Sequence, residues 1–135
     1  MKFLLDTNVC IYIIKRRPSH VIERFKQTKI SQIGISSITL SELLYGVSKS
    51  SKPEQNQVAL TQFIAPLEIL PYDDEAAHCY GDLRALLEKG GTPIGSLDML
   101  IAAQALSIAC TLVTNNEKEF NRVPKLKIEN WIKSP

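Results

Sequence analysis

Phe3-Leu4-Leu5-Asp6-Thr7-Asn8 decides how this chain is read. Its apolar residues form a strand-length run with no polar alternation, the pattern of a strand buried on both faces. The run stops at a carboxylate, a hydroxyl and an amide, and a helical pattern starts at once. In an open parallel α/β sheet the ligand crevice lies outside the carboxyl ends of the strands, which puts Asp6 where chemistry is usually done. Asp and Asn are also favoured helix N-caps. Capping is therefore the plainer reading of Asp6 and Asn8 until the rest of the chain is weighed.

Outward from this stretch, strand-like and helix-like segments alternate. Asn8 to about Arg16 predicts a helix apolar nearly all round (Val9, Cys10, Ile11, Tyr12, Ile13, Ile14), which has to be covered on more than one side. Lys15-Arg16-Arg17-Pro18 closes it, with cations at the favourable end of the helix dipole and Pro18 as the stop. A second helix is expected over Ser19–Gln27, a second strand over Ile33–Ser37, and a helix from Ile38 to about Ser48 with Leu40, Leu43, Leu44 and Val47 as its core stripe. Further helices are expected over Glu54–Ala65, Asp73–Lys89 and, capped by Ser96, up to Ala109. Strands are expected over Leu67–Leu70, Thr111–Thr114 and within Lys127–Trp131. This alternation predicts an α/β fold with a parallel sheet covered on both faces.

The bulk numbers set limits. A chain of 135 residues is expected to be one domain, 1–135, with a sizeable core. A net charge of +2 permits nucleic-acid binding without announcing it, because such a footprint depends on clustering. Cys10, Cys79 and Cys110 contain no C-x-x-C pair, which argues against zinc and a disulfide scaffold and for a reducing compartment. Phe3-Leu4-Leu5 is too short for a secretory apolar segment, and Val9–Ile14 falls far short of the ~20 residues of a membrane span. A cytoplasmic location without a membrane partner is expected.

Three carboxylates stand out, each with a plainer explanation beside it. Asp6 could be a cap. Glu42 lies about 200° round its helix from Leu40 and Leu44, so the core stripe points it to solvent; yet its own face carries Ile38, Tyr45 and Gly46, which is not a typical solvated face. Asp98 follows the sharp loop Pro93-Ile94-Gly95 and is the only charged residue from Leu97 to Cys110, although a helix dipole alone favours an acid there. Asn116, which like Asp6 follows a strand, resembles half of a capping box with Glu119.

Other chemistries lack parts. There is no G-x-G-x-x-G, no phosphate loop and no nucleophile elbow. His20 and His78 fall in unrelated helices and read as surface residues. A phosphoaspartyl transfer reading wants a second aspartate where Asn8 stands. If Asp6, Glu42 and Asp98 share one crevice their charges repel, and a hard divalent cation such as Mg²⁺ or Mn²⁺ resolves the conflict.

Four motifs, in order, then carry a resemblance over essentially the whole chain: Leu5-Asp6-Thr7-Asn8; Ser37-Ile38-Thr39-Leu40-Ser41-Glu42-Leu43; Pro93-Ile94-Gly95-Ser96-Leu97-Asp98; and Leu112-Val113-Thr114-Asn115-Asn116-Glu117-Lys118-Glu119-Phe120. With Arg122-Val123-Pro124 and Ile128-Glu129-Asn130-Trp131, they resemble the PIN-domain ribonucleases of the VapC toxin family. The resemblance implies a Rossmann-like parallel sheet of four to five strands flanked by helices. It also implies an Mg²⁺-dependent endoribonuclease toxin, with Mn²⁺ as a possible substitute.

By the same resemblance, Asp6 and Asp98 are metal ligands, Glu42 completes the acidic site, Thr7 orients a carboxylate, and Asn116 contacts water or phosphate. Many family members carry an aspartate at the position of Asn116, so one anionic ligand is missing here and a single tightly held ion is expected. The implied partners are an RNA substrate, by subgroup the anticodon loop of initiator tRNA, a VapB-type antitoxin, and a second copy in a homodimer. The over-apolar first helix suits an antitoxin groove or a dimer seam. Lys15, Arg16, Arg17, Lys49 and Lys52 are candidates for phosphate contacts. The competing reading is a catalytically inactive PIN-like module that binds RNA or antitoxin.

Overall fold

The computed structural model describes residues 1–133. Among them, five strands and seven α-helices follow one another in the expected alternation. The strands are β1 (Phe3–Leu5), β2 (Ile33–Ser36), β3 (Glu68–Leu70), β4 (Thr111–Val113) and β5 (Ile128–Glu129). They form one sheet in the order β3-β2-β1-β4-β5, and every neighbouring pair is parallel. β1 is therefore central, paired on one side through Leu4↔Gly34 and on the other through Leu5↔Val113.

The helices are α1 (Thr7–Lys15), α2 (Ser19–Gln27), α3 (Ser37–Lys49), α4 (Pro53–Ile64), α5 (Asp74–Lys89), α6 (Ser96–Ser107) and α7 (Glu117–Phe120). Side chains alternate across a strand, and this splits the core in two. Phe3, Leu5, Ile33, Ile35 and Val113 face a cluster with Val9, Ile13, Val21, Leu43 and Leu60, contributed by α1 to α4. Leu4 and Leu112 face the opposite cluster with Leu83 and Leu87 of α5, Met99 and Ala102 of α6, and Phe120 of α7. Both faces of the central strands β2, β1 and β4 are thus covered, which is why they carry no polar alternation, while edge strand β3 stays exposed.

Some local expectations are corrected. α1 starts at Thr7 because Asp6 occupies the cap, its side chain accepting from the Thr7 N–H. Ser96 is the first residue of α6, and Gly95 holds the extended cap position without a side-chain bond. Within α3, Leu43 is buried but Leu44 is 40% exposed, because Leu40, Leu43 and Val47 form the stripe that meets the core and Leu44 stands at its rim. The three cysteines are unpaired. Among the described residues no helix is long and apolar enough to cross a membrane.

In a parallel sheet all carboxyl ends share one edge. Asp6 after β1, α3 after β2, and Thr114-Asn115-Asn116 after β4 therefore emerge together.

Candidate active site

Asp6 is both cap and site residue. Only 6% exposed, its carboxylate accepts from the Thr7 N–H through Oδ1 at 2.8 Å and from Thr114 Oγ1 through Oδ2 at 2.8 Å. Its backbone N–H continues the sheet by bonding the Val113 carbonyl at 2.9 Å. Those bonds fix the carboxylate over the β1–β4 seam.

α3 brings Glu42 to the same place. Thr7 Oγ1 donates to Glu42 Oε1 at 2.7 Å, and Thr7 itself opens α1 beside Asp6. The face of α3 that did not look solvated is partly covered: Glu42 is half-buried and Thr39 fully buried.

α6 supplies Asp98 from its first turn, and α7 supplies Glu119, a residue the sequence suggested only as a capping partner. The two carboxylates converge on Gly95. A Cβ built there would lie 3.4 Å from Glu119 Oε1 and 3.5 Å from Asp98 Oδ2, and Glu119 Oε1 accepts from the Gly95 N–H. On the other side Asn116 Nδ2 donates to Glu119 Oε2 at 2.8 Å. The expected capping box does not form, since the Asn116 side chain makes no bond to the backbone of α7. Its amide holds the glutamate instead. The loop ahead of α6 is held by Arg122, which donates to the Pro93 carbonyl at 2.9 Å.

The electrostatics follow from this crowding. Burial pushes the Asp98 carboxyl up to about 7, and the charges of Asp6, Glu119 and Glu42 add to the rise. Asp6 is raised too, again chiefly by burial; its bonds from Thr114 and Thr7 oppose the shift, while Glu42 and Glu119 reinforce it. Glu119 is held below its ordinary value, first by the Gly95 N–H and also by Asn116 and Asp98. Near neutral pH Asp98 is therefore only partly ionised, beside a Glu119 that is held below its ordinary value. Four carboxyl groups that cannot all ionise comfortably suit a cation that would replace the proton.

The donors are all hard oxygens, which matches Mg²⁺ or Mn²⁺ and not a soft metal. Among the described residues no three such side chains already stand close enough to enclose an ion. Glu119 also restores the negative charge that the amide at Asn116 seemed to remove.

The basic residues proposed for phosphate contact are not gathered here. Lys15 ends the nine residues of α1, and Arg16 and Arg17 follow it, about 13 Å from Asp6 along the helix and toward the opposite edge of the sheet. Lys49 lies about 10 Å beyond Glu42 on α3, its Nζ 4.9 Å from the centroid of the exposed Tyr45 ring. Arg122, quoted above only as part of the Arg122-Val123-Pro124 ending, is the cation whose charge bears on Glu119. Spacing could not reveal Glu119 as a site residue, because its contact with Asp98 spans separate elements.

Known proteins resemble this chain along nearly its whole length. A family model described as the PIN domain matches residues 3–126. The tRNA(fMet)-specific endonuclease VapC of Salmonella typhimurium is 49% identical over 131 residues, 97% of this chain and 98% of that protein. Ribonuclease VapC2 of Rickettsia felis is 48% identical over 134 residues, 98% of this chain and all of that protein. The crystal structure of DNA-bound VapBC from Salmonella typhimurium superposes with a TM-score of 0.92 at 49% identity, covering 97% of this chain and 98% of that one.

Proposed function

The chain belongs to the VapC family of PIN-domain ribonucleases, and from that membership we propose an Mg²⁺-dependent toxin that cuts initiator tRNA in its anticodon loop. The observation that carries the metal-dependent reading is the gathering of Asp6, Glu42, Asp98 and Glu119 from four separate elements at the carboxyl ends of the strands, a crowding that also raises the Asp98 carboxyl. So much negative charge at the carboxyl ends of a parallel sheet serves little but a cation. A non-cutting binding module has no observation behind it, since the acidic group is intact.

In this reading Asp6 and Asp98 hold the ion, Glu42 completes the shell, and Mn²⁺ can substitute for Mg²⁺. When bound, the ion polarises the scissile phosphodiester and offsets charge on the attacking and leaving oxygens. Thr7 fixes Glu42 through its hydroxyl, and Thr114 fixes Asp6. Glu119 is the fourth carboxylate. Asn116 spends one amide N–H on it and keeps its carbonyl oxygen and second N–H for water or phosphate.

The partners follow the relatives. The VapBC complex supports a VapB-type antitoxin as the neutralising partner, and the trough lined by Ile11, Ile14, Leu43, Val47 and Leu60 offers it an apolar seat. A homodimer and a cytoplasmic location complete the proposal. The test is cleavage of purified initiator tRNA by the antitoxin-free chain, with and without Mg²⁺, beside Asp6→Ala and Asp98→Ala. Cutting in the anticodon loop that needs the metal and both aspartates supports the reading. No cleavage by the wild type with either Mg²⁺ or Mn²⁺ overturns it.

A further inference from the structure

Ile128-Glu129-Asn130-Trp131 is used by none of the chemistry above, yet it closes on the loop that carries Asn116. Trp131 is buried with its ring edge on Phe3, centroids 5.3 Å apart, under the Arg24 guanidinium at 5.3 Å. Its indole N–H donates to Glu129 Oε1 at 3.0 Å, and Arg24 donates to the same oxygen at 2.7 Å. This anchors the segment beside α2 and β1.

Asn130 links that anchor to the β4–α7 loop. Its Nδ2 donates to Asn115 Oδ1 at 3.1 Å and to Glu117 Oε2 at 3.2 Å. Its Oδ1 accepts from the backbone N–H groups of Ile132 at 2.9 Å and Lys133 at 3.1 Å. An amide has two donors and two lone pairs, so the capacity of Asn130 is filled. The residues it grips bracket Asn116, which in turn holds Glu119.

We propose that Asn130 is a positioning residue for the acidic site: it clamps Asn115 and Glu117 so that Asn116 holds Glu119 toward Gly95 and Asp98, ready for a divalent cation. The proposal rests on the reading of these carboxylates as a metal site. Outer partners of this kind orient ligands, and their loss typically costs 10- to 100-fold in metal affinity. Asn130→Asp would keep the acceptor for Ile132 and Lys133 and remove the donors to the loop. It would also set a carboxylate oxygen against Glu117 and Asn115 Oδ1, so it opens the clamp both by lost bonds and by repulsion. The Trp131 anchor would stay intact.

The experiment uses the full antitoxin-free chain and Mn²⁺ alone as the probe. Its affinity is read by electron paramagnetic resonance for wild type, Asn130→Asp, Glu119→Gln and the double variant. Unfolding temperatures are measured alongside, with exchange of the Gly95 amide in metal-free protein. Asn130→Asp is expected to weaken Mn²⁺ about tenfold, to quicken Gly95 exchange, and to shift unfolding by no more than about 2 °C. In the Glu119→Gln background it is expected to cost nothing further, because coupled residues do not add. Asn115→Ala, which cuts the clamp from the other end, should reproduce the loss. Unchanged Mn²⁺ affinity, an equal loss in the Glu119→Gln background, or a lowered unfolding temperature with normal affinity would each overturn the proposal. RNA cleavage by wild type decides the nuclease reading and these affinities decide the clamp, so the two fail separately.

Discussion

Thr7 Oγ1 donates to Glu42 Oε1 across 2.7 Å, tying the first residue of α1 to the second turn of α3. Among the described residues Thr39 Oγ1, at 3.5 Å, is the one other hydrogen-bond partner of that hydroxyl. Thr7→Val keeps the shape and removes the bond, leaving Glu42 free to swing. Its turnover is expected to fall about 10- to 100-fold, with a stability loss of only about 1 kcal/mol. Single-turnover tRNA cleavage beside a urea titration separates the two effects. A loss of stability without a loss of rate would refute the orienting role.

Asp6→Asn dissects cap from charge. Asn retains an acceptor for the Thr7 N–H, and Thr114 Oγ1, which already accepts from the Asn116 N–H at 3.0 Å, has a second lone pair for the new amide. The helix therefore keeps its start. One buried negative charge leaves a group that already raises Asp98. Metal-free unfolding temperature is expected to hold or rise, as removing crowded site charges often stabilises. Cleavage is expected to drop at least about a thousandfold, since losing an ion's contribution is worth several kcal/mol. Calorimetry and a cleavage assay on the same sample check both signs.

Much of this was legible along the chain, for a physical reason. Phe3–Leu5, Ile33–Ile35 and Leu112–Val113 lack polar alternation because both faces of their strands are covered, and local periodicity reports that directly. The helix expected from Ser19 to about Gln27, with Val21, Ile22 and Phe25 on one side, is α2. Local spacing said less where distant elements decide. Glu119 looked like a partner for its neighbour Asn116, while its carboxylate is held as much by Gly95, 24 residues earlier. Leu44 fits the helical stripe of α3 by spacing but stands at its rim, outside the Leu40, Leu43 and Val47 packing. Glu42 could not be settled from its helical wheel, because its partner Thr7 is 35 residues away.

Gln104 is the buried polar residue that joins the two halves of the site. It is 2% exposed on α6, the helix of Asp98. Its Oε1 accepts from Ser36 Oγ, whose oxygen also caps α3, the helix of Glu42, by accepting from the Ile38 N–H at 3.0 Å. Its Nε2 donates to the carbonyls of Leu70 at 3.1 Å and Pro71 at 3.2 Å. Gln104→Leu leaves these groups unpaired in the interior, and a loss of about 2–4 kcal/mol is expected. Ser36→Ala combined with Gln104→Leu should cost less than the two single losses added together. Urea unfolding of the four proteins measures this, and strict additivity would show that the bond carries no coupling.

The acidic group should also write its protonation into the stability of the metal-free protein. Asp98 titrates at about 7 when folded against 3.8 for the free side chain, and Asp6 is shifted the same way. Between pH 4 and 7 the native state therefore binds more protons than the unfolded chain, so this contribution to stability is full below about pH 4 and is lost as pH rises through 7. Glu119 is shifted oppositely, and its contribution disappears only as pH falls below the ordinary carboxylate range. In chelator the unfolding temperature is expected to decline from pH 5 to pH 8. Added Mg²⁺ should reverse the trend, because the ion favours the ionised carboxylates. Each unit of acid below pH 7 should then weaken Mg²⁺ about tenfold if one proton leaves on binding. Thermal scans at several pH values, with chelator and with Mg²⁺, test both slopes. A metal-free protein that grows steadily more stable from pH 5 to pH 8 would show that the four carboxyl groups do not share one charge-crowded site.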